Sequence, residues 1–165
     1  MIRVALISVG DKESNNMLRV EIVDDLLKNF QGEEVYYKNT SGNFGTLQEE
    51  LFNITERGLA DLILTTGGTG FARKNVTPEA TMAVIEKETP GITELMRKET
   101  AKKFPNVALS RGRAGIRKST LIINLPDEKN QIMESLRSLI DIIPQGVEAL
   151  KKDYTNHKYH ELKLW

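Results

Sequence analysis

Residues 65–81 read Thr-Thr-Gly-Gly-Thr-Gly-Phe-Ala-Arg-Lys-Asn-Val-Thr-Pro-Glu-Ala-Thr, directly after a short apolar run. Glycines at Gly67, Gly68 and Gly70 let the backbone take up positive φ and come close to a ligand with no Cβ in the way. Exposed amides ahead of a helix N-terminus form an anion site suited to phosphate. Thr66 and Thr69 add hydroxyl donors, and Arg73 and Lys74 add positive charge. A tight strand-to-helix turn with no ligand is the competing reading. The threonines, the basic pair and the Pro-opened helix favour the anion cradle. No Gly-Lys-Ser/Thr closes the loop and the GxGxxG spacing is absent, so neither a Walker loop nor a dinucleotide fingerprint is present. Asn75 stands at the far end of the loop. Its amide can coordinate through the carbonyl, but it brings no charge and cannot act as a base.

Other candidate chemistry is thin. Gly112–Ser119 has a superficial P-loop look, but Arg117 stands where the second glycine is required and the run precedes a strand instead of following one. It reads as a basic loop near a phosphate, or as a solvated turn. His157 and His160, the only histidines, are three apart with no third ligand placed beside them, which favours a solvated segment over a metal site. No Ser-His-Asp order can be built from them. There are no cysteines, which removes disulfides, thiolate nucleophiles and cysteine-bound metal together.

Composition sets the outer bounds. The 165 residues are 39% apolar and 28% charged, as in a soluble globular domain. Lys plus Arg (23) balances Asp plus Glu (23), so no global charge points to nucleic acid or to a membrane surface. No stretch approaches the ~20 apolar residues of a membrane span, and the segment MIRVALISVG reads as a first strand, not a signal peptide. A cytoplasmic location is expected.

The elements that must position the loop follow from apolar patterning. Ile2–Val9, Leu62–Thr65 and Ser119–Leu125 are nearly continuous apolar runs, as expected of strands covered on both faces, and Glu34–Lys38 is a weaker fourth. Leu18, Ile22, Leu26 and Phe30 mark one helix, and Leu47, Leu51 and Ile54 a second. A third helix is expected at Thr77, with Thr77 as N-cap and Pro78 at the first helical position. Thr89-Pro90-Gly91 is expected to stop it, with a fourth helix from Ile92 to about Phe104. A last helix carries Ile132 to Leu150, kinked or broken by Pro144. Ser110–Arg117 is a basic connection with the composition of a hairpin. This alternation calls for a mainly parallel sheet with helices on both sides: an α/β, three-layer α/β/α sandwich in a single domain over residues 1–151, followed by a C-terminal tail over 152–165. Leu162, Leu164 and Trp165 in that tail are free to dock on the body or on a neighbour. Ligands in open α/β sheets sit beyond the carboxyl ends of the strands, where the 65–81 loop belongs.

Taken together, TTGGTG with VTPEAT (65–81), PG (90–91), LSR (109–111), GIR (115–117) and LIINLP (121–126) closely resemble the molybdopterin adenylyltransferases of the MogA/MoaB type, related to the G domains of gephyrin and the plant Cnx proteins. The match runs from about Arg3 to Leu150. It implies a three-layer α/β/α fold, a homotrimer, and a place in molybdenum cofactor biosynthesis. It also implies a reaction in which the terminal phosphate of molybdopterin attacks the α-phosphorus of Mg·ATP, releasing pyrophosphate. By the same resemblance Thr66, Gly67, Gly68, Thr69 and Gly70 contact the ligand, and Ser110 and Arg111 keep the family's later Ser-Arg. The family's Ser-Asp before the first helix is kept in part as Gly10-Asp11.

Three departures bear on activity. The family's acid before Val-Thr-Pro is here Asn75. Its second acid, counted back from Thr65 without gaps, falls at Gly42. Its Leu-Pro-Gly-Ser-Pro reads Leu125-Pro126-Asp127-Glu128-Lys129. Magnesium in such a site needs oxygen ligands, normally including carboxylates, and Asp127 and Glu128 would repel a polyphosphate or else recruit a cation from the other side. The candidate catalytic positions are therefore Asn75 and Asp11, with Glu79 a further substitute acid and the metal ligands unassigned. The pattern favours a chain that binds molybdopterin or a similar phosphorylated small molecule, with Mg²⁺ and ATP required only if it is catalytic. An active adenylyltransferase with relocated metal ligands is the alternative, and a vestigial site in an oligomeric interaction protein a further one. The intact glycines favour binding over a vestige, since a fold under no binding demand is expected to relax them.

Overall fold

Successive residues of a strand point to opposite faces, and in the first strand both sets are apolar, so the sheet must be covered on both sides. The computed structural model describes residues 1–10 and 12–162, with side chains at 1–10 and 17–156. Asp11, the side chains of His157, His160 and Leu162, and residues Leu164 and Trp165 lie outside the described residues.

The elements run β1 (Ile2–Val9), α1 (Lys12–Asn29), β2 (Gly32–Thr40), α2 (Phe44–Glu56), β3 (Leu62–Thr66), α3 (Thr77–Val84), β4 (Lys87–Glu88), α4 (Pro90–Ala101), a 3-10 turn (Pro105–Leu109), β5 (Ala114–Arg117), β6 (Thr120–Asn124), α5 (Lys129–Ser138) and α6 (Ile142–Leu162). They build one six-stranded sheet in the order β2-β1-β3-β6-β5-β4. The first four strands in that order are parallel, with Val4 beside Leu62, Ser8 beside Thr66, and Thr65 beside Asn124. β5 and β4 complete the sheet antiparallel. Val4, Leu6, Leu62, Leu64, Leu121 and Ile123 pack against α1, α4, α5 and α6, whereas Ala5, Ile7, Ile63 and Ile122 pack against α2 and α3. This is the expected three-layer sandwich. No helix among the described residues is long and apolar enough to cross a membrane.

Several local expectations are corrected. β2 is longer than the Glu34–Lys38 run, because its pairing with β1 extends over the whole of that strand. Thr77 is not the N-cap of α3. Val76 holds that position, and the Thr77 hydroxyl donates instead to the Gly67 carbonyl at 3.0 Å. α3 stops at Val84, well before Pro90, and Pro90 opens α4 instead of ending its predecessor. The basic 110–117 segment does lead into a hairpin, with β5 and β6 joined through Lys118 at φ +50. The single last helix is two. The break falls at residues 139–141, which places Pro144 in the first turn of α6, where its missing N–H has no intrahelical acceptor to lose. α6 then runs past residue 151 without interruption into the segment expected to be a tail.

The candidate functional site

The strand order fixes where a site can form. β2 lies on one side of β1 and β3 on the other, so the connections leave the sheet in opposite directions at the β1/β3 boundary, where ligands bind in open α/β sheets. The 67–75 loop leaves β3 at that boundary. Val9 and Gly10 end β1 beside it, and Asp127 follows β6 on its other flank.

Two glycines are demanded by the loop's own backbone. Gly67 has φ +86, and a Cβ on it would lie 2.3 Å from the Val9 carbonyl oxygen. Gly68 has φ +74, and its Cβ would lie 2.2 Å from the Thr77 hydroxyl. Neither contact involves a ligand. The expectation that these glycines relax without a binding demand therefore fails, because the close approach of β1 to Gly67 and of Thr77 to Gly68 needs them in any case.

Thr69 is the centre of the cradle. Its amide donates to Asp127 Oδ1 at 3.0 Å and its hydroxyl donates to the same oxygen at 2.6 Å. The Ser110 hydroxyl donates to Thr69 Oγ1 at 3.2 Å, which commits the Thr69 proton to Asp127. Thr66, in contrast, is buried within β3, with its hydroxyl 3.5 Å from Ser8 Oγ. Two side chains face Gly70 on the side a Cβ would occupy. A methyl on Gly70 would sit 2.8 Å from Asn75 Nδ2 and 3.6 Å from Asp127 Oδ2. Asn75 is thus turned toward the loop, on the side of Gly70 that Asp127 also faces.

Arg111 clamps this arrangement. Its Nε donates to the Gly70 carbonyl at 2.9 Å, Nη2 to the Asn75 carbonyl at 2.8 Å, and Nη1 to Glu79. The Arg111 amide donates to the Thr69 carbonyl at 3.0 Å. Glu79, a candidate substitute acid, is therefore committed to an ion pair on the far side of Arg111. Arg97 braces the same segment from α4, donating to the Gly112 carbonyl at 3.0 Å. Burial and the like charge of Arg113 lower its pKa. Arg97, Arg111 and Arg113, with Glu79, Met82 and Ser110, line a cleft of about 500 Å³ beside the loop. A larger cavity of about 860 Å³, lined by Met1, Phe30, Gln31 and Lys151, opens at the opposite edge, where β1 begins. The glycine loop is not part of it.

Sequence reasoning missed two residues. Asn124, fully buried at the end of β6, donates from Nδ2 to Thr65 and Thr81 hydroxyls, each at 2.9 Å, and accepts from the Arg113 amide at 3.0 Å. It ties β3, α3 and the 110–113 segment together, and its signal is an amide ending an apolar strand. Asp127 is expected, together with Glu128, to repel a polyphosphate or to recruit a cation, not to engage the loop. The two part ways: Asp127 enters the cradle, while Glu128 accepts from Gln131 Nε2 at 3.2 Å. At the expected second acid position, Gly42 has φ +86 and a Cβ there would meet Val9 Cγ1 at 2.7 Å, so an acidic side chain needs Val9 to move. No group of three or more acidic or histidine side chains among the described residues is placed to hold a metal.

Thr66 to Gly70, Asn75, Ser110 and Arg111 thus come together at one edge of the sheet, and Asp11 lies outside the described residues. The family described as a probable molybdopterin binding domain matches residues 6–145. The chain is 34% identical over 158 residues to a molybdopterin adenylyltransferase of Helicobacter pylori, covering 93% of this chain and 90% of that one. It is 32% identical over 157 residues to the Escherichia coli K12 molybdopterin adenylyltransferase, covering 90% and 80%. Among solved structures it superposes with a TM-score of 0.82 on the molybdopterin biosynthesis enzyme MoaB of Thermus thermophilus, at 35% identity over 91% of this chain and 96% of that one. The chain belongs to the molybdopterin-binding family of molybdenum cofactor biosynthesis proteins.

Proposed function

We propose that this chain binds molybdopterin, or a closely related phosphorylated compound, at the 67–70 loop and serves molybdenum cofactor synthesis by holding it. One observation carries the reading: the Thr69 amide and hydroxyl already converge on an anion, the Asp127 carboxylate. Donors that satisfy a carboxylate in this way are organised for an oxyanion of similar shape, and a phosphate offers more charge to the same donors. Arg111, Arg97 and Ser110 hold the donors in place. The arginine-lined cleft beside them suits further negative charge on the ligand.

Adenylyl transfer from ATP is the second reading. It is favoured by likeness to molybdopterin adenylyltransferases over nine-tenths of the chain. The described side chains do not make a magnesium cage. Asn75 is neutral, Glu79 is paired with Arg111, and Asp127 is engaged through one oxygen. The homotrimer implied by the resemblance belongs to the same proposal, and sedimentation velocity should report three times the 18.6 kDa chain mass.

Calorimetric titration with molybdopterin, with and without Mg·ATP, tests binding; absence of heat in both cases overturns it. Pyrophosphate release tests transfer. The binding reading expects Asn75→Asp to raise turnover by more than about tenfold with similar affinity for molybdopterin alone, since it supplies an anionic oxygen ligand for Mg²⁺. Ready turnover by the wild type, little changed by that substitution, makes the chain an adenylyltransferase.

A further inference from the structure

The donors of the cradle are already engaged by a side chain of the protein. Asp127 Oδ1 takes both Thr69 donors, and Thr69 is only 1% exposed beneath it. Asp127 itself is exposed and forms no ion pair with a described cation, so its charge is met by the loop's amide and hydroxyl dipoles. The contact is not local: the two residues stand 58 positions apart and meet because β3 and β6 are neighbours in the sheet. A carboxylate held by two donors, and free on its solvent side to rotate away, is an intramolecular competitor for any oxyanion that needs the same donors.

We infer that Asp127 occupies the phosphate seat of the unliganded protein, so that a phosphomonoester or polyphosphate binds at Thr69 only by evicting it. This rests on the reading of the loop as a phosphate site. Asp127 is then the residue that sets the site's affinity and selectivity: a dianionic phosphate can outbid it, whereas a monoanionic carboxylate ligand gains little over the side chain already present. Glu128, the adjacent acid, has no such role, because it is turned toward Gln131.

Two measurements test this, both on the full chain with inorganic pyrophosphate as probe and chelator present. By amide NMR without ligand, Asp127→Ala should move the Thr69 amide proton; an unmoved resonance overturns the seat. By calorimetry, Asp127→Ala should tighten pyrophosphate binding at least tenfold. Asp127→Asn, which keeps an acceptor but loses the charge, should tighten it less, and Glu128→Gln by no more than about threefold. Unchanged or weaker binding in the two Asp127 variants, or an equal gain in Glu128→Gln, overturns the inference while leaving the loop a phosphate site. If the Thr69 amide moves but neither the wild type nor any variant binds pyrophosphate or molybdopterin, the phosphate reading itself has failed and the inference falls with it.

Discussion

At the scale of single residues, Gly67 makes the sharpest demand on the chain. A Cβ there would press into the Val9 carbonyl, which belongs to a strand held on both sides and cannot yield cheaply. Gly67→Ala should cost about 2–4 kcal/mol of stability, read from urea unfolding, with an expressed but weakened protein. Asn75→Asp tests something different. It places a second carboxylate on the side of Gly70 that Asp127 also faces, so its gain in turnover should grow when Asp127→Asn is combined with it, as like charges are relieved. The character of the loop is legible in the sequence: glycines and threonines after an apolar strand already mark an anion cradle. Its occupant is not, because the pairing of Thr69 with Asp127 depends on which strands lie side by side.

Among the elements, the anchoring of α6 has a pH signature. Asp61, nearly buried between α2 and β3, accepts from the Arg3 amide at 2.9 Å, from the Arg3 guanidinium at 2.8 Å, and pairs with Lys151 of α6 at 2.8 Å. Burial alone would raise its pKa, but the bonds from Arg3 and Lys151 outweigh it and leave the carboxyl below its ordinary value. A group depressed in the folded state stabilises above the unfolded pKa and loses that contribution as pH falls through the folded one. Stability should therefore decline on acidification below the ordinary aspartate range. Asp61→Asn should flatten that limb and cost about 1–3 kcal/mol at neutral pH, measured by thermal or urea unfolding across pH. Pro144 offers a contrasting test. It sits in the first turn of α6, so Pro144→Ala should change stability by less than about 1 kcal/mol, where a mid-helix proline would be costly to keep. The apolar spacing there read as one helix because both halves face the same core. Nothing in Lys87-Glu88 marked β4, since a two-residue edge strand carries no apolar pattern of its own.

For the molecule as a whole, the sheet is loaded on both faces by separate apolar clusters. Leu64 looks into one and Ile63 into the other, and each is fully buried. Leu64→Ala and Ile63→Ala should each cost about 2–5 kcal/mol and shift one shared unfolding transition, monitored by circular dichroism, as neighbours on one strand must. The three-layer architecture was legible because continuous apolar strands leave no polar face to expose; the antiparallel edge was not. The contact between Gly67 and the Val9 carbonyl also has a consequence for descent. A lineage that ceased to handle its ligand would still select against substitutions at this glycine, because the loss of stability lowers the protein's abundance whether or not the ligand matters. Mutational drift after such a loss should therefore appear first at Asn75, Asp127 and the neighbouring cationic side chains, while Gly67 stays fixed as a mark of the architecture.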